Sequence, residues 1–435
     1  MILSKQSRML LGASALLAFF NLASRVMGLV RDRVLASRFG ASDILDVYYI
    51  SFQIPDFIFN LLAIGAISTA FIPLFIEYET KRSKEEAWKL ASNFLNLLLA
   101  GLLVAIGVLF IFTPSLIDVI APGFSGEKKY LASTFTGVMF ASPLIFAVSI
   151  VAGSVLQASN RFLAFAMAPI AYNIGIIIGA VYFEPLFGPL GLAEGVVLGA
   201  LLHLTVQFPA LFKTGFRWFR IFDYKDEGTL RMLKLILPRS FGLAAVQVNW
   251  IVLNALATTL GIGTVTALNF AFNLQFVPVA LVGISVAVAS FPTMSREALE
   301  DRTAFAARIA KTIRGILLLI VPLSFIFWYA REYIVGILLG TGIFGARDVK
   351  LTADILGFFM LGVFAQSIIP ILARSFYALQ NTKIPVLAGL AAVLVNVILA
   401  FFLIESMDAM ALPLSYALAG ILNAAILGVM LKRKL

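Results

Sequence analysis

Residues 88–113 include Leu97-Leu98-Leu99-Ala100-Gly101-Leu102-Leu103-Val104-Ala105-Ile106-Gly107-Val108-Leu109-Phe110-Ile111-Phe112, a run without one polar side chain, and Lys89 is the only charge in the whole stretch. Coiled as a helix at about 1.5 Å per residue, such a run spans the hydrocarbon core of a bilayer, about 30 Å. Similar runs recur along the chain. Spans are predicted near 9–31, 45–76, 88–113, 131–157, 163–184, 189–212, 235–258, 262–293, 312–339, 352–379, 385–404 and 409–431.

The composition agrees with lipid as the solvent. Of 435 residues, 61% are hydrophobic and only 13% charged, 39 are Phe, and the mean hydropathy is +0.99. A soluble chain carries about 25% charged residues. The first apolar run is not a cleaved signal peptide: it is too long, carries Arg25, and meets a charged stretch without a small-residue cleavage site. The absence of cysteine excludes disulfides, thiolate metal sites and thiol nucleophiles, and the single histidine, His203, argues against a histidine metal site or triad. No catalytic residue, metal or cofactor is expected. No connection between spans is long enough for a catalytic domain, and the acidic group Asp223, Asp226 and Glu227 has no supporting motif.

A net charge of +10 raises the question of nucleic acid, but its distribution answers it. Counted over alternate connections, 22 Lys and Arg lie on one side and 8 on the other, with Arg25, Arg239 and Arg374 inside or at the ends of spans. The positive-inside rule then predicts a multi-pass membrane protein with both termini in the cytoplasm and no nucleic-acid partner. The stretch from Lys213 to Lys234 mixes Phe216, Trp218 and Phe219 with Arg217 and Arg220, the composition of an interfacial belt. From Ser295 an amphipathic helix is expected, lying on anionic lipid through Arg308, Lys311 and Arg314.

The chain also repeats. Arg25-Val26-Met27-Gly28 returns as Arg239-Ser240-Phe241-Gly242 at an offset of 214; Leu156-Gln157 with Asn173 returns as Leu379-Gln380 with Asn396 at 223; Gly191-Leu192 returns as Ala411-Leu412 at 220. Six spans per copy is even, so the copies share one orientation. The expected fold class is therefore an all-α integral membrane protein: twelve transmembrane helices in two six-helix lobes related by a pseudo-twofold axis along the membrane normal. The lobes are drawn at 1–213 and 235–435, with 214–234 as a cytoplasmic interfacial linker. A cavity between two such lobes suits alternating access.

Ionisable groups inside spans are costly and tend to be functional. The densest set is Ser24-Arg25-Val26-Met27-Gly28-Leu29-Val30-Arg31-Asp32-Arg33, followed by Arg38, Asp46 and Asp56. Arg25, Gly28 and Asp32 share one helical face. Guanidinium groups are permanently charged and grip phosphate oxygens bidentately. Arg25 and Arg31 are thus candidate ligands for a pyrophosphate headgroup, with Asp32 and Asp46 as orienting partners at the same site. Asn273 and Gln275, midway along the second lobe's equivalent helix, join them as candidate substrate contacts. Ser24, Gly28, Pro55, Asp56, Gly65, Arg239 and Arg374 are candidate orienting or gating residues; Pro55, Gly65 and Pro73 punctuate the second span, which is expected to bend and line the cavity. His203 and Glu194 share a face and form an expected polar pair. The second lobe has no carboxylate deep in a span, so coupling to a proton or another monovalent cation is disfavoured there and the membrane potential is the simpler driver.

Ser24 to Asp32, Phe39-Gly40, Asp46, Ile54-Pro55-Asp56 and Ala70-Phe71-Ile72-Pro73 closely resemble the start of the MurJ/MviN family of lipid II flippases. So do Ala121-Pro122-Gly123-Phe124, Asn160-Arg161-Phe162, Phe291-Pro292-Thr293-Met294-Ser295, and the block from Ala373-Arg374 to Ile384-Pro385. The resemblance runs through the whole chain. It implies the multidrug/oligosaccharidyl-lipid/polysaccharide exporter fold and a monomer that carries an undecaprenyl-pyrophosphate-linked disaccharide-pentapeptide from the inner to the outer leaflet. Its partners are then that lipid-linked pyrophosphate and membrane lipids, and its implied place is the bacterial cytoplasmic (inner) membrane. It also implies functional importance for Arg25, Arg31, Asp32 and Asp46. The sequence departs from the family where members carry arginine: here stand Phe59 or Asn60, and Asn273. Family members usually have fourteen spans, against twelve read here. A flippase for another polyprenyl-linked oligosaccharide and a multidrug exporter of the same superfamily stay open as alternatives.

Overall fold

The computed structural model describes residues 5–62 and 71–435, the side chains of 5–15, 62, 237–243 and 245 excepted. Gly65 and the Arg239 side chain therefore lie outside the described residues. All regular structure among the described residues is helical. The long helices are α1 (Lys5–Phe39), α2 (Asp43–Leu62), α3 (Ile72–Lys81), α4 (Lys84–Ile111), α5 (Gly126–Ala158), α6 (Phe162–Phe187), α7 (Leu190–Phe212), α8 (Glu227–Thr258), α9 (Thr264–Glu300), α10 (Arg302–Tyr329), α11 (Ala346–Ala378), α12 (Lys383–Met407) and α13 (Ala411–Lys432). Among the described residues, each of the twelve predicted spans falls on helix, the second on α2 and α3 with residues 63–70 outside the described residues.

One expectation fails at the end of α9. No separate amphipathic helix opens at Ser295; α9 runs on to Glu300 and α10 starts at Arg302. Asp301 makes the corner: in extended backbone, its carboxylate accepts from Thr303 N and Ala304 N at 2.8 and 3.0 Å. An N-cap needs only one such residue, so the two spans form a tight hairpin. Arg308 reaches back across it to Glu297, Nε to carboxylate oxygens at 2.6 Å, rather than out to lipid.

Two compact units form. The first comprises Met1–Arg38, Val47–Val119 and Ser125–Gln247; the second comprises Phe39–Asp46, Ile120–Phe124 and Val248–Leu435. In the first, Phe71, Phe75, Leu90, Phe94, Val155 and Met232 build a dry core. Its α6 and α7 meet through Gly175, Gly179, Gly191, Gly195 and Gly199, spaced by four so that they fall on facing stripes. A Cβ on Gly195 would lie 2.5 Å from the Gly179 Cα, so these backbones are in direct contact. Lipid gives helices no hydrophobic reason to associate, and small residues at such spacing let dispersion do so.

The second unit gathers two short segments from the first half of the sequence. Ala41 N donates to Asp348 Oδ2 at 3.2 Å and Gly123 N to Thr258 Oγ1 at 3.1 Å. A side chain at Gly123 would overlap the Thr258 carbonyl, which is why the Ala121-Pro122-Gly123-Phe124 loop requires glycine there. Around Phe272, the rings of Trp250, Phe359 and Tyr416 pack with centroids 4.2, 6.0 and 5.8 Å away.

Turns fix the register of the repeat better than the matched words do. α5 ends with Asn160 in the left-handed region (φ 56°), Arg161 N bonded to Leu156 O and Asn160 N to Gln157 O. α11 ends with Gln380 (φ 57°), Asn381 N bonded to Phe376 O and Gln380 N to Tyr377 O. These are the same Schellman closure, 220 residues apart. The Phe124 N–Ala121 O and Phe344 N–Thr341 O turns repeat at that offset too. The Leu-Gln match at 223 and the Arg25/Arg239 match at 214 are thus out of phase with the structure; the 220 match at Gly191 and Ala411 is in phase.

Candidate headgroup site

α1 carries the arginines. Arg31 bonds its sequence neighbour Asp32 through Nε at 3.0 Å and a terminal nitrogen at 2.7 Å, both to Oδ1. The Asp32 side chain is 3% exposed and that of Arg31 22% exposed. Consecutive side chains diverge by about 100° around a helix, so the guanidinium folds back to reach the acid. The rest of its five N–H donors have no partner among the described residues. Arg25 lies six residues, about 9 Å, nearer the N-terminus and is exposed, as is Arg33; Ser24 and Gly28 are half-buried, with open space where a Gly28 Cβ would stand. Arg38 is exposed and donates to Val181 O at 3.4 Å.

α2 adds a second layer. Pro55 is buried inside it and Asp56 is exposed, with Asn60 Nδ2 donating to the Asp56 backbone carbonyl at 2.9 Å. Asp56, Tyr48 and Tyr172 all lie within electrostatic reach of Arg31. Phe59 packs at a tilt against Phe146 with ring centroids 4.6 Å apart, and Phe146 meets Tyr172 at 5.2 Å. Tyr48 and Tyr172 escaped the sequence reading because a tyrosine in an apolar run looks like core; the adjacent Asn173 was the one available signal.

The remaining candidates are dispersed. Asp46 belongs to the second unit, where its carboxylate accepts from Gly263 N at 2.8 Å, Thr266 N at 2.9 Å and Thr266 Oγ1 at 2.7 Å. Gln275 is buried in the same unit with its amide oxygen lacking a partner among the described residues, while Asn273, two positions away and so on another face, is half-buried. Arg374 is half-buried on α11 and donates to Pro370 O at 3.4 Å. His203 does not pair with Glu194: its Nδ1 lies 2.7 Å from Ser149 Oγ, which also accepts from Gln207 Nε2 at 2.6 Å, and its ring meets Phe146.

The acidic group near the linker also finds its role. Asp226 caps α8, accepting from Thr229 N and Oγ1 at 2.7 Å each. No group of three or more His, Asp or Glu side chains suited to a metal ion occurs among the described residues.

The family model described as lipid II flippase MurJ matches residues 35–435. The probable lipid II flippase MurJ of Buchnera aphidicola subsp. Acyrthosiphon pisum is 30% identical over 415 residues, covering 94% of this chain and 81% of that protein. The lipid II flippase MurJ of Burkholderia cenocepacia is 29% identical over 427 residues, covering 95% and 82%. Among solved structures, a lipid II flippase MurJ in an inward closed conformation superposes with a TM-score of 0.84 at 25% identity, over 96% of this chain and 87% of that one. An inward-facing multidrug resistance MATE transporter of the MOP superfamily shares the fold alone, with a TM-score of 0.79 at 14% identity over 94% of each chain. With its multi-pass architecture and this match across nearly its full length, the chain belongs to the inner-membrane MurJ family of lipid II flippases.

Proposed function

We infer that this protein carries lipid II from the inner to the outer leaflet by alternating access, with Arg31 and Arg25 holding the pyrophosphate. The observation that carries the assignment of roles is the Arg31–Asp32 pair: a buried acid fixes the guanidinium at the end of the first predicted span and leaves part of its donor fork unused. A fork so held meets phosphate oxygens without losing side-chain entropy on binding. Asp32 is then a positioning residue. Asp46, occupied by the start of α9, holds the fold of the second unit rather than the headgroup. Asn273 contributes uncharged contacts where relatives use a cation, while Ser24, Gly28, Pro55, Arg239 and Arg374 shape or gate the path.

The termini lie in the cytoplasm on this reading, as the 22 to 8 charge bias requires. Outward passage of an anion is then downhill in an inside-negative potential by about 2.3 kcal/mol per charge per 100 mV, so a bound cofactor or coupling ion is unnecessary. On this reading the protein acts as a monomer on its lipid substrate, without catalysis and without nucleic acid. Complementation of a conditional loss of the resident lipid II flippase tests the substrate directly. Growth rescue is expected; properly inserted protein that fails to rescue points to another polyprenyl-linked saccharide.

A further inference from the structure

Three carboxylates follow one another along α1 and α2, and their surroundings differ. Asp32 is bonded to Arg31, and Asp46 to Gly263 and Thr266; both are 2% exposed. Asp56 is exposed, and its carboxylate has no hydrogen-bond or ion-pair partner among the described residues. Yet it lies thirteen residues into α2, about 20 Å along the helix from Asp43, and eleven residues into the second predicted span. An ionised carboxylate at that depth cannot face acyl chains without a cost of several kcal/mol, so it faces water or a ligand. Arg31, a guanidinium within its electrostatic reach, makes its two bonds to Asp32 and none to Asp56.

The neighbours of Asp56 are aromatic. Tyr172 is within its electrostatic reach, and Tyr172 and Phe59 both rest on Phe146 while staying half-buried themselves. A carboxylate beside partly open rings is how proteins receive organic ammonium groups, through ion pairing and the negative faces of the rings together. A neutral hydroxyl would leave the charge uncompensated.

We propose that Asp56, with Tyr172 and Phe59, forms an ammonium subsite on the wall of the first unit beside Arg31. The proposal deepens the lipid II reading, on which it rests for one of two ligand sources: the amine of the substrate's stem peptide, or a free organic ammonium. In the first case the substrate is held at both ends of its charge, phosphate on Arg31 and amine on Asp56.

The test uses the full chain in nanodiscs, as wild type, Asp56→Asn, Asp56→Glu and Tyr172→Leu. Four probes are titrated: lipid II with a free stem-peptide lysine, the same lipid acetylated on that amine, undecaprenyl pyrophosphate, and n-butylammonium. Acetylation is expected to weaken wild-type binding about tenfold, Asp56→Asn to erase that ratio, Asp56→Glu to keep it, and Tyr172→Leu to reduce it to about threefold. Undecaprenyl pyrophosphate should bind wild type and Asp56→Asn alike, which also shows that the variant is folded. Should neither lipid bind wild type, the flippase reading fails, but n-butylammonium binding that is lost in Asp56→Asn sustains the site with a free ammonium as ligand. If Asp56→Asn changes neither the acetylation ratio nor n-butylammonium binding, the subsite does not exist.

Discussion

Asp46 and Thr266 hold equivalent places in the two copies of the repeat, 220 residues apart, and they are bonded to each other. Oδ1 of Asp46 accepts from both N and Oγ1 of Thr266, and Oδ2 accepts from Gly263 N. One copy's carboxylate thus serves as the N-cap of the other copy's helix, satisfying amides that open α9. Asp46→Asn keeps one oxygen but turns an NH2 group toward Gly263 N–H. We expect a loss of about 1–2 kcal/mol for Asp46→Asn and about 3 kcal/mol for Asp46→Ala, read as lower melting temperatures in detergent. Undecaprenyl pyrophosphate affinity should be unchanged at temperatures where both variants are folded; a large loss of affinity in Asp46→Asn would restore this residue to the headgroup site.

The Arg31–Asp32 pair makes a single arginine substitution ambiguous. Arg31→Ala leaves a buried acid without its guanidinium, which costs about 3–5 kcal/mol, so its abundance in the membrane should fall. Changing Asp32 to Asn in the same chain removes the stranded charge. The double variant should regain wild-type abundance and still fail to complement loss of lipid II transport. Full activity in that double variant would separate Arg31 from pyrophosphate binding. Arg25→Ala, exposed on the same helix, should abolish transport with abundance intact.

Gly28 and Gly195 offer a contrast between two glycines in spans. Nothing lies within 4 Å of a Cβ placed on Gly28, whereas one on Gly195 runs into the Gly179 backbone. Gly28→Ala is therefore expected to match wild type in melting temperature. Gly195→Val must force α6 from α7, with a cost of about 3 kcal/mol or more. Equal melting temperatures for the two variants would mean that the α6–α7 contact does not hold the first unit together.

What the sequence makes legible depends on the range of the interaction. The twelve spans could be read because apolar length is a local property, and Leu97 to Phe112 needs no partner to declare itself. The helix corner at Asp301 was also local, but a charged stretch between spans looked more like an interfacial helix than like one capping residue. The repeat register was misread because three- or four-residue words recur by chance in so apolar a chain, whereas the Asn160 and Gln380 turns are defined by backbone conformation. Asp46 was recognisable as important and not as a cap, since its partners stand 217 and 220 residues away. Arg31 and Asp32 were both singled out, yet the pairing of Arg31 with its immediate neighbour was not anticipated, because helical periodicity directs attention to positions three, four and seven apart.

Ser92, Asn93 and Asn96 on α4 carry a last prediction. Asn93 Nδ2 donates to Asp223 O at 2.8 Å and Thr229 Oγ1 at 3.0 Å, and its Oδ1 accepts from Asp223 N at 2.7 Å. Asn96 Nδ2 donates to the carbonyls of Phe219 and Ile221, and Ser92 Oγ accepts from Phe219 N. The chain between α7 and α8 has no helix of its own here, so these side chains supply the backbone partners that secondary structure otherwise provides. Asn93→Ala removes the side-chain partners of the Asp223 N–H and C=O, both in part-buried bonds, and should cost about 2 kcal/mol locally. Limited proteolysis should then cut at Arg217, Arg220 or Lys225 several-fold faster in Asn93→Ala than in wild type, while helix content by circular dichroism stays the same. Unchanged cleavage would mean that the linker is held by the burial of Phe216 and Ile221, and Phe216→Ala would then be the variant that frees it.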